Sequence, residues 1–143
     1  MLEFRPFHAK HLVFIAPQEE QVRVKEAMLT DEYAEALESG FALSAWDGVR
    51  CVAAAGCVAV YPHRAVAWAL FSHNAAPHML AIARKVRRTM GLLEFKRIEI
   101  AVHSTFEQGN RFARLIGMKL ETPEPLRAHG VFGEDEYLYA KVK

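Results

Sequence analysis

Between Ala65 and Val102 the sequence sets one long amphipathic segment between two runs of β-type residues. Ala65 to Phe71 is apolar and strand-like. Arg97 to Val102 alternates, with Ile98, Ile100 and Val102 on one side and Arg97, Glu99 and Ala101 on the other. From Pro77 to about Phe95, Met79, Ile82, Ala83, Val86, Met90 and Leu93 recur at three- and four-residue spacing, a face that a helix must bury. The opposite face carries Arg84, Lys85, Arg87 and Arg88. Met79, Val86 and Met90 are therefore expected in the core and Arg84 and Arg88 in solvent. A helix joining two strands of one sheet implies a parallel crossover, so strands 65–71 and 97–102 are expected to be adjacent and parallel.

The remaining elements read as antiparallel. Leu2 to Phe7 alternates as a first strand, and Pro17 with Glu19-Glu20 behind it suits a helix N-terminus. Helical pattern runs on through Val22, Val24 and Met28; Thr30 and Asp31 look like the cap of a second short helix, which Gly40 stops. Phe41 to Trp46, the turn signal Asp47-Gly48 and Val49 to Val60 form a hairpin. The small-residue stretch Val52 to Val58 fits either a strand buried on both faces or a close approach of a ligand or another backbone. Tyr61 to Arg64 is a further turn. Ser104 or Thr105 can cap a helix through Ile116 that ends at Gly117, followed by strands at Met118–Glu121 and Glu136–Val142 with a loop from Pro123 to Gly130. The expected class is α/β (an α+β mixed sheet): a mostly antiparallel central sheet with one parallel crossover, flanked by helices.

A length of 143 residues suits a single domain, 1–143. With 18 Lys+Arg against 17 Asp+Glu there is no whole-molecule field for nucleic acid, and nucleic-acid binding is not expected. Charge is nonetheless uneven. Residues 19–38 hold seven acids against Arg23 and Lys25, and residues 84–97 hold six bases against Glu94. The basic run reads first as a solvated face, and otherwise as a seat for a phosphate, a nucleic acid or an acidic partner such as the 19–38 region itself. Cys51 and Cys57 lie on one apolar strand, about 20 Å apart at ~3.3 Å per residue, and so form no disulfide. No apolar leader precedes the first strand, and Ser72-His73-Asn74 and Pro77 break the longest uncharged run, so neither a signal peptide nor a membrane span is expected and a cytoplasmic location is. The seven histidines are scattered without metal-site spacing, and no metal is expected.

The succession of elements resembles the GNAT N-acetyltransferase superfamily over nearly the whole chain. The sharpest local match is Arg111-Phe112-Ala113-Arg114-Leu115-Ile116-Gly117-Met118-Lys119-Leu120-Glu121, which resembles the signature in which a helix turns at glycine into a strand beginning with a large apolar residue. The resemblance implies a GNAT-like acyl-CoA N-acyltransferase fold and acetyl-coenzyme A as substrate, with a small-molecule or peptide amine as acceptor. It also implies a cofactor site at the start of the long helix, carried here by Phe71, Ser72, His73, Asn74, Ala75, Ala76, His78 and Met79, with Arg84 available to a phosphate. Backbone N–H groups of strand 65–72 would polarise the thioester, and a gap between the two parallel strands would open near Phe71, Ser72 and His103. Glu99 and His103 are the candidate bases; each has a plainer alternative, an ion pair with a lysine or arginine for Glu99 and a capped loop for His103.

The departures are specific. The glycine-rich phosphate turn of the superfamily is replaced by Ser72-His73-Asn74-Ala75-Ala76-Pro77-His78-Met79, where Pro77 deletes an amide donor and alanine side chains limit approach, so coenzyme binding is expected to be weak. Ala113 stands where many of these enzymes carry a tyrosine acid, and Asn110 lies one turn beyond the usual asparagine position. Trp68 to Ser72, Arg84 to Met90, Arg111-Phe112 and Ile116-Gly117 also resemble the small GNAT-like proteins of short-tailed bacteriophages, some of them internal virion proteins. That narrower resemblance implies a catalytically silent structural or ejection-associated role, with other phage virion proteins as partners and the host cytoplasm or virion interior as location.

Overall fold

The computed structural model describes every residue except Gln18, and every side chain except those of Gln18, Glu20 and Asp31, so the helix-start roles expected of Glu20 and Asp31 lie outside the described side chains. Seven strands form one mixed sheet: β1 (Leu2–Pro6), β2 (Phe41–Asp47), β3 (Arg50–Tyr61), β4 (Arg64–Phe71), β5 (Arg97–His103), β6 (Lys119–Leu120) and β7 (Glu136–Val142), in the order β1-β2-β3-β4-β5-β7-β6. β4 and β5 run parallel, with Arg64 opposite Arg97, Ala65 opposite Ile98 and Val66 opposite Glu99. The pairs β1–β2, β2–β3, β5–β7 and β6–β7 are antiparallel. The expected crossover is there, made by α3 (Met79–Leu92); the other helices are α1 (Val22–Met28), α2 (Asp31–Ser39) and α4 (Glu107–Leu115). Among the described residues, no helix is long and apolar enough to cross a membrane.

The chain divides into two compact units, residues 1–58 with 67–82, and residues 59–66 with 83–143. The first is built around Phe7, Leu12, Ile15, Met28, Leu37, Trp46, Cys51, Trp68 and Leu70, all buried. A 3₁₀ turn at Ala9–Phe14, absent from the sequence reading, puts Leu12 into this core and His11 beside Ser44, whose Oγ lies 3.0 Å from His11 Nδ1. Pro17 does not open a helix. It bridges to Ser72, and helical structure starts only with a short 3₁₀ turn at Glu19–Gln21. Thr30 does occupy the N-cap position of α2, but its hydroxyl donates back to Ala27 O instead of capping. The small-residue stretch of β3 answers to both readings: Val52, Ala53 and Ala54 are consecutive and fully buried, so both faces are covered, while at Gly56 a Cβ would stand 2.5 Å from Phe41 O. Cys51 and Cys57 are buried free thiols. Burial pushes the Cys51 thiol up to about 11, which leaves it protonated and inert at neutral pH.

In the second unit α4 ends as its sequence predicts. Gly117 adopts φ +89°, Gly117 N–H donates to Arg114 O and Met118 N–H to Ala113 O, a left-handed exit that closes the last helical carbonyls. Ser104 and Thr105 do not cap α4; Phe106 holds the cap position with no side-chain bond, and Thr105 turns to His103 instead. Gly109 lets α4 sit close to β5, since a Cβ there would meet Val102 Cγ1 at 2.9 Å. β6 shrinks to Lys119–Leu120, while β7 spans Glu136–Val142 as expected. α3 begins two residues later than its periodicity suggests, because Pro77 falls inside a 3₁₀ turn at Ala76–His78, and it ends at Leu92. Along α3, Ile82, Ala83 and Met90 are buried and Arg84 and Arg88 exposed as read, whereas Met79 and Val86 are only half-buried. Met90 therefore carries most of this face within the second unit. Met90→Ala should lower the urea-unfolding free energy by roughly 2–5 kcal/mol; a loss below about 0.5 kcal/mol would show that the helix face is not what holds α3.

Candidate functional site

The candidate cofactor residues Phe71 to Met79 form one continuous turn of the first unit, leading from the end of β4 into α3. Phosphate binding at such a place depends on backbone N–H groups that have no other partner. Here most do. Ala75 N–H donates to Ser72 O (3.0 Å) and His78 N–H to Ala75 O (2.8 Å), Met79 N–H closes on Ala76 O, and Pro77 has no N–H. Among the described residues no backbone partner meets the amides of Asn74 and Ala76. The side chains add little positive charge: His73 Nδ1 lies 3.1 Å from Ala16 O, and His78 Nε2 lies 3.3 Å from the Asp47 carboxylate. Asn74 Oδ1 is buried without a partner, an acceptor facing nothing that donates. Arg84 lies in the second unit, exposed on α3.

The strand leading into this turn has a more informative edge. Peptide groups alternate sides along a strand, so Ser72 faces β3, its N–H donating to Val52 O (2.8 Å), while Ala69, Phe71 and His73 face the opposite edge. The parallel ladder with β5 is described from Arg64 to Val66. Beyond it, the edge groups are met by the N-terminal part of the same unit. Gln21 Nε2 donates to Ala69 O (2.9 Å), Phe71 N–H donates to Gln21 Oε1 (2.8 Å), and His73 N–H donates to Ala16 O (2.8 Å). Gln21 is buried at 7 % exposure. Sequence reading passes over it, because a glutamine within an acidic, helix-like stretch has no pattern to mark it; the only available signal is that Gln21 is a neutral amide among charged neighbours.

The candidate bases lie in the second unit, on one face of β5. Four residues apart, Glu99 and His103 are separated by about 13 Å of strand, too far to serve one reacting atom together. The Glu99 side chain makes the ion pair that its plainer reading foresees. Oε1 accepts from Arg64 (2.5 Å) and Oε2 from Arg97 Nε (2.7 Å), and Arg97 also grips Glu121 at 2.5 Å. Burial alone would raise the Glu99 pKa, but the hydrogen bonds and charges of Arg64 and Arg97 outweigh it and hold the carboxyl below its ordinary range. His103 Nδ1 accepts the Thr105 N–H (3.2 Å), with Thr105 Oγ1 at 2.9 Å, which assigns the proton of the neutral ring to Nε2. Its outward nitrogen is thus a donor. Asn110, buried on α4, donates to His103 O and Phe106 O and accepts from Tyr139 Oη (2.6 Å), so both Asn110 and Tyr139 serve packing. Ala113 is buried, and no phenol stands in its place.

Neither a protein-family profile nor a curated protein matches the sequence. Solved structures do match, end to end. An N-acetyltransferase from Staphylococcus aureus Mu50 superposes with a TM-score of 0.72 at 11 % identity, over 99 % of this chain and 97 % of that one. The fold is that of the GNAT acetyltransferases. A GNAT-family acetyltransferase from Bacillus anthracis matches at 0.66 with 15 % identity, over 99 % of this chain and 94 % of its own. The microcin C7 self-immunity acetyltransferase MccE, solved with acetyl-CoA and AMP, matches at 0.58 with 16 % identity, over 85 % of this chain and 69 % of that chain. At such identities the likeness establishes the GNAT fold alone.

Within that fold, the Arg64–Glu99–Arg97 group is a structural pin at the start of the parallel ladder. Glu99→Gln should destabilise by roughly 1–3 kcal/mol, the range for hydrogen bonds to charged groups. Because folding depresses the Glu99 pKa, its contribution is present above the ordinary glutamate value and is lost as pH falls through the lower folded value. Urea melts between about pH 5 and pH 2 should therefore show a smaller acid loss in Glu99→Gln than in the wild type. Parallel acid profiles would contradict the pin.

Proposed function

We propose that this chain is an acetyl-coenzyme A-dependent N-acetyltransferase acting on an amine of a small molecule or peptide. The observation that supports it best is the edge of β4. Ala69, Phe71 and His73 present a row of peptide groups to a side-chain carboxamide and a lone carbonyl, and the pantetheine arm of the coenzyme carries amides of the same kind. In this reading pantetheine pairs with that edge, Phe71 and Ser72 line it, and the pyrophosphate rests against the turn from His73 to Met79. With two amides left at Asn74 and Ala76 and Asp47 beside His78, that turn is a weak seat for an anion.

The transfer needs no covalent enzyme intermediate. The neutral amine attacks the thioester carbonyl, whose developing oxyanion is held by a β4 N–H; the C–S bond breaks, the thiolate leaves, and the amine proton passes to water. Glu99 is engaged by two arginines and the His103 Nδ1 lone pair is taken by Thr105, so solvent is the acceptor of that proton in this proposal. The rate should then follow the fraction of neutral amine. With an amine of pKa near 10, kcat/KM should rise about tenfold per pH unit from about pH 6 to pH 9, without a break near the ordinary histidine value of about 6.5. An inflection that disappears in His103→Gln would instead restore His103 as the base.

A second reading, a silent GNAT fold of the phage virion type, is favoured by the same turn, whose amides are largely used and whose strand edge is filled. Calorimetric titration with acetyl-coenzyme A separates the two. Low-micromolar to high-micromolar binding fits the acetyltransferase; absence of binding at millimolar ligand fits the silent protein.

A further inference from the structure

We infer that Gln21 is an internal competitor for the coenzyme edge of β4, so that the free protein holds its own site closed. The inference rests on the acetyl-coenzyme A reading and concerns the regulation of that site. A primary carboxamide offers the same donor and acceptor as a peptide group, and Gln21 uses both at once, on Ala69 O at 2.9 Å and Phe71 N–H at 2.8 Å. This two-point pairing with alternate residues is how an added strand or an amide-bearing ligand engages a sheet edge. Ala16 O extends the same row by taking His73 N–H at 2.8 Å. An N–H has one proton and supports one good hydrogen bond, so pantetheine amides and the Gln21 carboxamide exclude each other at Phe71. At 7 % exposure Gln21 is no surface side chain in transient contact.

The exchange is balanced in kind. Ligand entry at Ala69 and Phe71 breaks two amide hydrogen bonds and forms two of the same type, as the Gln21 side chain turns away from the edge. The measured affinity is then the intrinsic affinity multiplied by the fraction of molecules with the edge open. Two hydrogen bonds of ordinary net strength keep that fraction small, and their removal should tighten acetyl-coenzyme A binding by about tenfold or more. A chain of amides without a thioester, such as pantetheine itself, should show the same gain, because the competition is for the edge.

The test compares acetyl-coenzyme A affinity by calorimetry in the wild type, in Gln21→Ala, which vacates the edge, and in Gln21→Met, which keeps the side-chain bulk and removes the pairing. Amide hydrogen exchange at Phe71 and Ser72 is followed in all three. The expected result is tighter binding in Gln21→Ala, with Phe71 exchange accelerated about tenfold or more in both variants and Ser72, held by Val52, unchanged as a sign of intact folding. Binding in Gln21→Ala but none in the wild type also supports the competitor. Equal affinity in folded wild type and Gln21→Ala overturns it and leaves the acetyltransferase reading standing. Unchanged Phe71 exchange overturns it whatever the affinity. Failure of all three proteins to bind at millimolar ligand overturns the acetyl-coenzyme A reading, and the competitor with it.

Discussion

Glu99, clamped between Arg64 and Arg97, sits on the strand where the sheet changes from parallel to antiparallel pairing, and it ties the start of β4 to β5. The described register pairs Arg64 to Val66 with Arg97 to Glu99. Parallel ladders pair slightly less well per residue than antiparallel ones, so a side-chain clamp at the start of one helps to set its register. Two guanidinium groups on one buried carboxylate fix it, with Glu121 as the second partner of Arg97. Removing the carboxylate would take the ion-pair partner from Arg64 and leave Arg97 to Glu121, so the arrangement tolerates substitution badly.

Toward its end β4 has peptide groups that the N-terminal part of the first unit satisfies, from Ala69 to His73. A strand edge cannot stay unpaired among apolar neighbours, and in the first unit Gln21 and Ala16 do the pairing. The edge used for stability is therefore the same edge that the proposed reading assigns to an amide-bearing ligand, and in that reading stability and binding oppose each other. The turn after β4 shows the same tendency: its amides close on Ser72, Ala75 and Ala76, leaving little for an anion.

Much of the fold was legible because it depends on periodicity. The helical face through Ile82 and Met90, the alternation from Arg97 to Val102 and the glycine at 117 each state a local geometry, and together they imply the parallel crossover. Boundaries slipped where one residue admits two geometries. Pro17 suits a helix start but bridges Ser72, and Thr30 and Thr105 suit caps but bond elsewhere. The site was less legible for a different reason. Gln21 meets Phe71 across 50 residues of sequence, and no local pattern encodes that meeting. Glu99 shows the converse: its neighbours on the strand reveal Arg97, two residues away, but Arg64 reaches it only through the sheet.

The central claim is that the β4 edge from Ala69 to His73 is the place where this GNAT fold takes acetyl-coenzyme A. It is tested most directly by titrating ¹⁵N-labelled protein with acetyl-coenzyme A and following the backbone amides. The account predicts that the largest shifts fall on Ala69, Phe71 and His73, together with Asn74 and Ala76 and the Gln21 side-chain amide. Shifts confined to the Arg84–Arg97 face, or none at millimolar ligand, would contradict it.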